Sequence, residues 1–186
     1  KELISDIGVK GVWNDMNEPA VMEVPNKTFP MDVRHVYDGN PCSHRKAHNI
    51  YGTQMARATY HGVKRFAYPK RPFVITRSAY SGAQRYTSSW TGDNVATWEH
   101  LWIANIQVQR MSISGMGFTG SDIGGFAEQP SGELYARWIQ LGVFHPFCRT
   151  HSSGDHGNQE PWSFDEEVIN ITRKFVSLRY QLLPYL

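Results

Sequence analysis

Cysteine is scarce in this chain, with two residues in 186, Cys42 and Cys148. They have neither the spacing of a metal site nor the density of a disulfide framework, so neither kind of scaffold is expected. No apolar run approaches the roughly 18 residues of a membrane-spanning helix, and no signal peptide opens the sequence. An excess of one charge is missing too. The 19 Lys and Arg and the 17 Asp and Glu are interspersed, the formal net charge is +2, and no basic block points to nucleic acid or an anionic membrane surface as a partner. Neither an internal repeat nor a low-complexity tract is visible. What is present is 40% hydrophobic and 13% aromatic residues, enough for one substantial core. The chain begins "KELISDIGVKG" without a methionine and stops at "LRYQLLPYL" within a helical pattern, so it is expected to be an excerpt of a longer chain.

Periodicity predicts alternating strands and helices. A first strand is expected from about Gly8 to Asn14, then a long polar, Pro-rich loop from Glu23 to about Ser43. A helix from His44 to about Ala67 would pack through Tyr51, Met55, Ala58 and Phe66 and end at Pro69 and Pro72. "PFVITR", Pro72 to Arg77, reads as a buried strand and "SSWTGDN", Ser88 to Asn94, as a shorter one. Next come a helix from Thr97 to Ile113 with Trp98, Leu101, Trp102 and Ile106 as core candidates, a glycine-rich strand-like run from Gly115 to Gly125, and a helix from Gly132 to Leu141 using Leu134, Trp138 and Leu141. "VFHPFCRTH", Val143 to His151, is a further strand. The last helix is expected to open with a capping box, Ser163 to Glu166, and to pack through Val168, Ile171, Phe175, Leu178 and Leu182.

Such alternation indicates an α/β fold with a parallel sheet. Each of the five expected strands ends in a charged or polar group: Asp15, Arg77, Asp93, Asp122, and Arg149 with His151. In a (β/α)8 TIM barrel the active site is assembled from such C-terminal strand ends, whereas a doubly wound sheet binds at a switch point. The barrel is therefore expected. Five strands cannot close one, so residues 1–186 are expected to be the latter part of a single barrel domain without internal boundary, completed by strands outside this chain.

The residues at those strand ends carry a resemblance. "WNDMNE", Trp13 to Glu18, resembles the signature of glycoside hydrolase family 31, the α-glucosidase family of retaining enzymes with a (β/α)8 barrel. "ITRSAYSGAQRYTSSWTGDN" (75–94), "GSDIGGF" (120–126) and "HPFCRTH" (145–151) resemble its later motifs in the same order. The resemblance implies that Asp15 is the nucleophile and Asp93 the general acid/base. It also implies that Arg77, Asp122 and His151, with Arg149 beside them, hold the sugar, while Trp13, Trp90 and Phe126 wall its pocket. Met16 and Asn17 resemble the glucosidase branch more than those acting on xylosides or sulfonated sugars. Thr150 departs from the asparagine of many relatives, and a family acid on the first barrel strand lies outside this chain.

The residues support that chemistry in their own right. Glycosidic cleavage through an oxocarbenium-like state needs one carboxylate at the anomeric carbon and one protonated carboxyl at the leaving oxygen, which Asp15 and Asp93 can supply. Asp93 would hold its proton through burial beside Trp90 or a like charge, and Arg77 would keep Asp15 ionised. No metal or organic cofactor is required. The expected partner is an oligosaccharide or α-glucoside, and the expected activity is exo-acting retaining α-glucosidase. Transglycosylation, lyase-type elimination, xyloside cleavage and carbohydrate binding without catalysis are the alternatives. Retention of both acids argues against binding alone.

Structural rivals remain. Asp93 could cap the following helix, Asp122 could orient neighbours rather than touch sugar, and Glu18 is expected to stiffen the loop behind Asp15. Trp98, Trp102 and Trp138 fit core stripes better than sugar platforms. "GMGFTG" (115–120) lacks the strand-turn-helix context of a dinucleotide site, and "HRKAH" (44–48) reads as a solvated first turn rather than a zinc motif. Sequons at Asn26 and Asn170 do not establish secretion.

Overall fold

The computed structural model describes residues 1–186, which divide into two compact units, Lys1–Ser89 and Trp90–Leu186.

In the first unit, strands β1 (Gly11–Asn14), β4 (Phe73–Thr76) and β5 (Ser88–Ser89) form a parallel sheet in the order β1-β4-β5. The register of β1 on β4 runs from Gly11 opposite Phe73 to Asn14 opposite Thr76. Val74, Ile75 and Thr76 are buried, and the β-branched run suits a central strand covered on both faces. Helix α2 (Tyr51–Ala67) packs on this sheet and is led in by α1 (His44–Ala47) and a 3-10 turn (His48–Ile50). Its buried positions are Gly52, Thr53, Ala56 and Val63, while Ala58 is exposed, so the expected face is rotated. The reason is close approach. A Cβ at Gly52 would strike the backbone of Ser78, and a helix seated that tightly marks its inner face with small residues rather than large apolar ones.

The stretch expected to be loop through Ser43 contains an antiparallel hairpin, β2 (Arg34–Tyr37) and β3 (Asn40–Ser43). Its turn is Asp38–Gly39 with φ of 47° and 84°, both left-handed, as a two-residue turn between twisted strands requires. His44, expected to be solvated, is 0% exposed. It bonds Thr28 Oγ1 through Nε2 and His35 Nε2 through Nδ1, both at 3.0 Å. Burial, together with the charges available to His35 and His48, holds its pKa below the usual histidine range.

In the second unit, β6 (Asp122–Ile123) pairs in parallel with β7 (Arg149–Thr150), setting Asp122 opposite Arg149. Both are two residues long, so the longer strands expected over 115–125 and 143–151 are mostly irregular backbone. Helices α3 (Trp98–Ile113), α4 (Gly132–Gly142) and α5 (Glu166–Leu182) supply the core. Ala104, Ile123, Leu134, Tyr135, Trp138, Ile139, Val143 and Val168 form one buried cluster, with Leu101 and Phe175 packed against it. Trp138 satisfies its indole by donating to Ser121 Oγ at 2.9 Å.

Two expectations fail in this unit. Trp98 and Trp102 are 51% and 66% exposed, because α3 turns Ala104 and Val108 inward instead. The cap of α5 is Asp165, whose carboxylate accepts from Val168 N at 2.9 Å, whereas Ser163 belongs to a preceding 3-10 turn and bonds Glu160. Asp165 wins because that turn carries the chain past Ser163 before the helix begins.

Candidate active site

Asp15 follows the last residue of β1 and Arg77 the last residue of β4, so parallel pairing in register brings these positions side by side. The ladder extends one bond further, from Arg77 N to Asn14 O at 3.0 Å. From there the guanidinium reaches two carboxylates: Arg77 Nε lies 2.9 Å from Glu18 Oε1, and Nη1 lies 3.7 Å from Asp15 Oδ1. Met16 N also donates to Asp15 Oδ1, at 2.8 Å. Both contacts fall on the same oxygen, Oδ1. Met16 achieves this with φ of 54°, an unusual conformation for an unbranched apolar residue and one found where function holds a backbone in place. Trp13 is partly exposed one residue before β1 ends.

In the second unit Asp93 is exposed on the loop after Trp90, which is itself buried. Asn94 anchors this loop. Its Oδ1 accepts from Thr91 Oγ1 at 2.6 Å, and its carbonyl accepts from Phe126 N at 2.7 Å and Ala127 N at 3.1 Å. Asp93 is not the helix cap, since Thr97 fills that role by accepting from His100 N at 3.1 Å. Asp122 is 0% exposed and receives Arg149 Nη2 on Oδ1 at 2.6 Å. The Arg149 guanidinium also lies over the rings of Trp90 and Phe147, at 5.6 and 5.1 Å from their centroids. Phe126 and His151 lie 5.4 Å apart and tilted by 33°.

Each unit thus gathers its own share of the expected residues: Trp13, Asp15, Met16, Glu18 and Arg77 in the first, and Trp90, Asp93, Asp122, Phe126, Arg149 and His151 in the second. Two buried amides hold these groups: Asn17, which the sequence marked only as a branch feature, and Gln159, which it did not mark at all. Asn17 ties the Asp15 loop to the end of β4 through Thr76 and Ser78. Gln159 donates to Gly125 O at 3.0 Å, beside Phe126. A polar amide inside the WNDMNE motif was the available signal for Asn17; Gln159 lies far along the chain and had none. No group of three His, Cys, Asp or Glu side chains is placed to hold a metal ion, and no helix is long and apolar enough to cross a membrane.

Comparison with known proteins resolves the family. The pattern described as the Glycosyl hydrolases family 31 TIM-barrel domain matches residues 1–186. The chain belongs to glycosyl hydrolase family 31. Over 187 aligned residues it is 46% identical to Alpha-glucosidase 2 of Bacillus thermoamyloliquefaciens, covering 100% of this chain and 23% of that protein. It is 44% identical to Glucosidase 2 subunit alpha of Saccharomyces cerevisiae, covering 100% of this chain and 19% of that protein. A chain in the crystal structure of an ER glucosidase II heterodimeric complex matches with a TM-score of 0.87 at 40% identity, over 94% of this family 31 chain and 19% of its own length. The chain therefore spans about a fifth of the length of these relatives. The expected TIM-barrel class is that of the family, and within these residues the strands form sheets of three, two and two rather than a closed ring.

Proposed function

We propose that the protein carrying this chain is an exo-acting retaining α-glucosidase that removes terminal non-reducing α-linked glucose from oligosaccharides. The observation that carries this reading is the Asp15–Arg77–Glu18 group at the C-terminal edge of β1 and β4. This is the edge at which TIM barrels present catalytic groups. Family membership and relatives named as glucosidases support it.

In the proposed sequence, the Asp15 carboxylate attacks the anomeric carbon while the Asp93 carboxyl gives its proton to the leaving glycosidic oxygen. This forms a covalent glucosyl ester and a free alcohol. Asp93, now a carboxylate, takes a proton from water, whose oxygen displaces Asp15 and releases glucose with retained configuration. Such double displacement requires the two carboxyl groups about 5 to 5.5 Å apart. Arg77 and the Met16 N–H hold Asp15 Oδ1 and orient the carboxylate before attack. In the second unit, Trp90, Phe126 and His151 are assigned to the terminal sugar. Asp122 is assigned an orienting role through Arg149, consistent with its full burial.

The test uses the full-length protein and the mechanism-based label 5-fluoro-α-glucosyl fluoride, with the adduct mapped by mass spectrometry. The expected result is a single adduct on Asp15. Asp93→Ala should still release a first equivalent of fluoride from α-glucosyl fluoride, whose leaving group needs no proton, then turn over slowly for want of a base unless azide is supplied, and should lose about 10³-fold on an alkyl glucoside. A folded protein that binds glucose, never labels and cleaves no aryl α-glucoside would instead be a carbohydrate-binding protein.

A further inference from the structure

The loop that carries Asp15 leaves β1 and must return its carboxylate to a fixed place beside Arg77. The Asp15–Arg77–Glu18 contacts cannot do this alone, because these side chains are between 28% and 43% exposed and the Asp15 contact is a loose 3.7 Å. Beneath them lies a second tier. Asn17 is 1% exposed, with both ends of its amide engaged. Its Oδ1 accepts from Ser78 N at 3.0 Å, its Nδ2 donates to Thr76 Oγ1 at 2.8 Å, and that hydroxyl donates to Ser78 O at 3.0 Å. The ring has one consistent direction. Ser78 N can only donate, so the amide oxygen must face it and the amide nitrogen must face Thr76.

The placement of this ring gives it a role beyond stability. Thr76 and Ser78 are the two neighbours of Arg77, and Asn17 lies between Met16 and Glu18, so the ring grips from below the segments that present the ion group above. Helix α2 holds the same place from the other side. Its backbone at Gly52 closes on Ser78, and Thr53 Oγ1 accepts from Tyr80 N at 2.8 Å. Thr76 also anchors its neighbour strand, its carbonyl accepting from Ser89 Oγ at 2.8 Å. Buried, fully bonded amides of this kind fix geometry more tightly than exposed ion pairs do.

We infer that Asn17, acting through Thr76 and Ser78, is a positioning residue that sets Asp15 against Arg77 for nucleophilic attack. The inference rests on the assignment of Asp15 as nucleophile. Asn17, buried with its amide engaged, acts through the loop geometry around Met16, whose φ is 54°. Misplacement of a reacting atom by about 1 Å can lower a rate on the order of 10²-fold, so the ring's effect belongs in the glycosylation step rather than in ground-state binding.

The experiment compares full-length wild type with Asn17→Ala, Thr76→Val and Thr76→Ser, each normalised to active sites titrated with 5-fluoro-α-glucosyl fluoride. Three readouts are the rate constant of labelling, the Ki of a glucose-like competitive inhibitor, and the melting temperature. Thr76→Val removes the hydroxyl but keeps the shape, and Thr76→Ser restores it. The expected result is a labelling rate about 10²-fold lower per titrated site in Asn17→Ala and Thr76→Val, with Ki within about threefold of wild type, and a rate within about threefold in Thr76→Ser. The Asn17→Ala/Thr76→Val double variant should be no slower than the worse single one, because both break one ring. Wild-type rates per titrated site in both single variants, whatever their melting temperatures, would overturn the inference and leave the nucleophile assignment intact. If Asn17→Ala does not fold, the contrast between Thr76→Val and Thr76→Ser decides the matter. A wild type that is never labelled at Asp15 would remove the nucleophile assignment and this inference with it.

Discussion

Each compact unit holds an arginine set against carboxylates, and the two groups are built in opposite ways. In the first, Arg77 divides itself between Asp15 and Glu18, and all three side chains keep contact with solvent. In the second, Arg149 closes on Asp122, a carboxylate that has no exposure at all, and its guanidinium lies over two aromatic rings. A half-exposed pair contributes little to stability but leaves its carboxylates reachable from solvent. A buried pair recovers its desolvation only while both partners remain, and it holds backbone in place rather than reacting. The same residue types thus serve presentation in one unit and construction in the other.

The strongest way to break this comparison is to cut the buried pair. Arg149→Met removes the 2.6 Å charged contact from the buried Asp122 carboxylate, and the expected loss is about 3 to 5 kcal/mol. Hydrogen exchange at the β6 and β7 amides of the full-length protein would read this as local opening. The Asp122→Leu/Arg149→Met double variant should recover at least half of it, since removing both charges also removes the desolvation burden. A loss below about 1 kcal/mol in the single variant would place Arg149 in the same energetic class as Arg77.

His145 sharpens the comparison from another side, as a buried titratable group whose ring nitrogens find no hydrogen-bond partner. Burial first, and then the charge of Arg179, push its pKa down to about 4. Arg179 cannot move away, because it caps the carbonyls of Val143, His145 and Pro146 at 2.6 to 2.9 Å. Between pH ~6.5 and about 4 the unfolded chain therefore binds more protons at this site than the folded one does. Neutral His145 leaves stability intact above pH ~6.5. About 3 kcal/mol should be lost progressively as the pH falls from there through the folded value near 4. Denaturant midpoints of wild type and His145→Phe across that range would show it, with the variant losing the wild type's extra acid sensitivity. Parallel curves would mean that His145 is hydrated in solution.

The grouping of polar side chains at the strand ends could be read from the sequence because strand ends are marked by a switch from β-branched to polar residues. Asn14 to Asp15 and Thr76 to Arg77 fall where expected. What escaped was set by packing rather than pattern. The buried face of α2 follows Gly52, Thr53, Ala56 and Val63 because the helix sits close on the Ser78 turn, and a scale that counts large apolar residues misses that. Trp98 and Trp102 matched a core stripe by spacing, yet α3 turns Ala104 and Val108 inward. The Asp38–Gly39 hairpin was different, since its turn signal was present and the prolines around it masked two short strands.

The finest test of the comparison lies on Arg77 itself. If its value is presentation, Arg77→Met should change stability by no more than about 1 kcal/mol, because the pairs it loses are half-exposed. The same change should lower kcat/KM on an aryl α-glucoside on the order of 10²-fold, through an Asp15 carboxylate left less fixed. Arg77→Lys separates charge from shape. An ammonium keeps the charge but lacks the planar fork that serves Glu18 through Nε and Asp15 through Nη1, so its activity should fall between the other two. Lysine at wild-type activity would reduce Arg77 to a point charge beside Asp15. Lysine no better than methionine would mean that the bond to Glu18, rather than the charge, keeps the guanidinium where the nucleophile needs it.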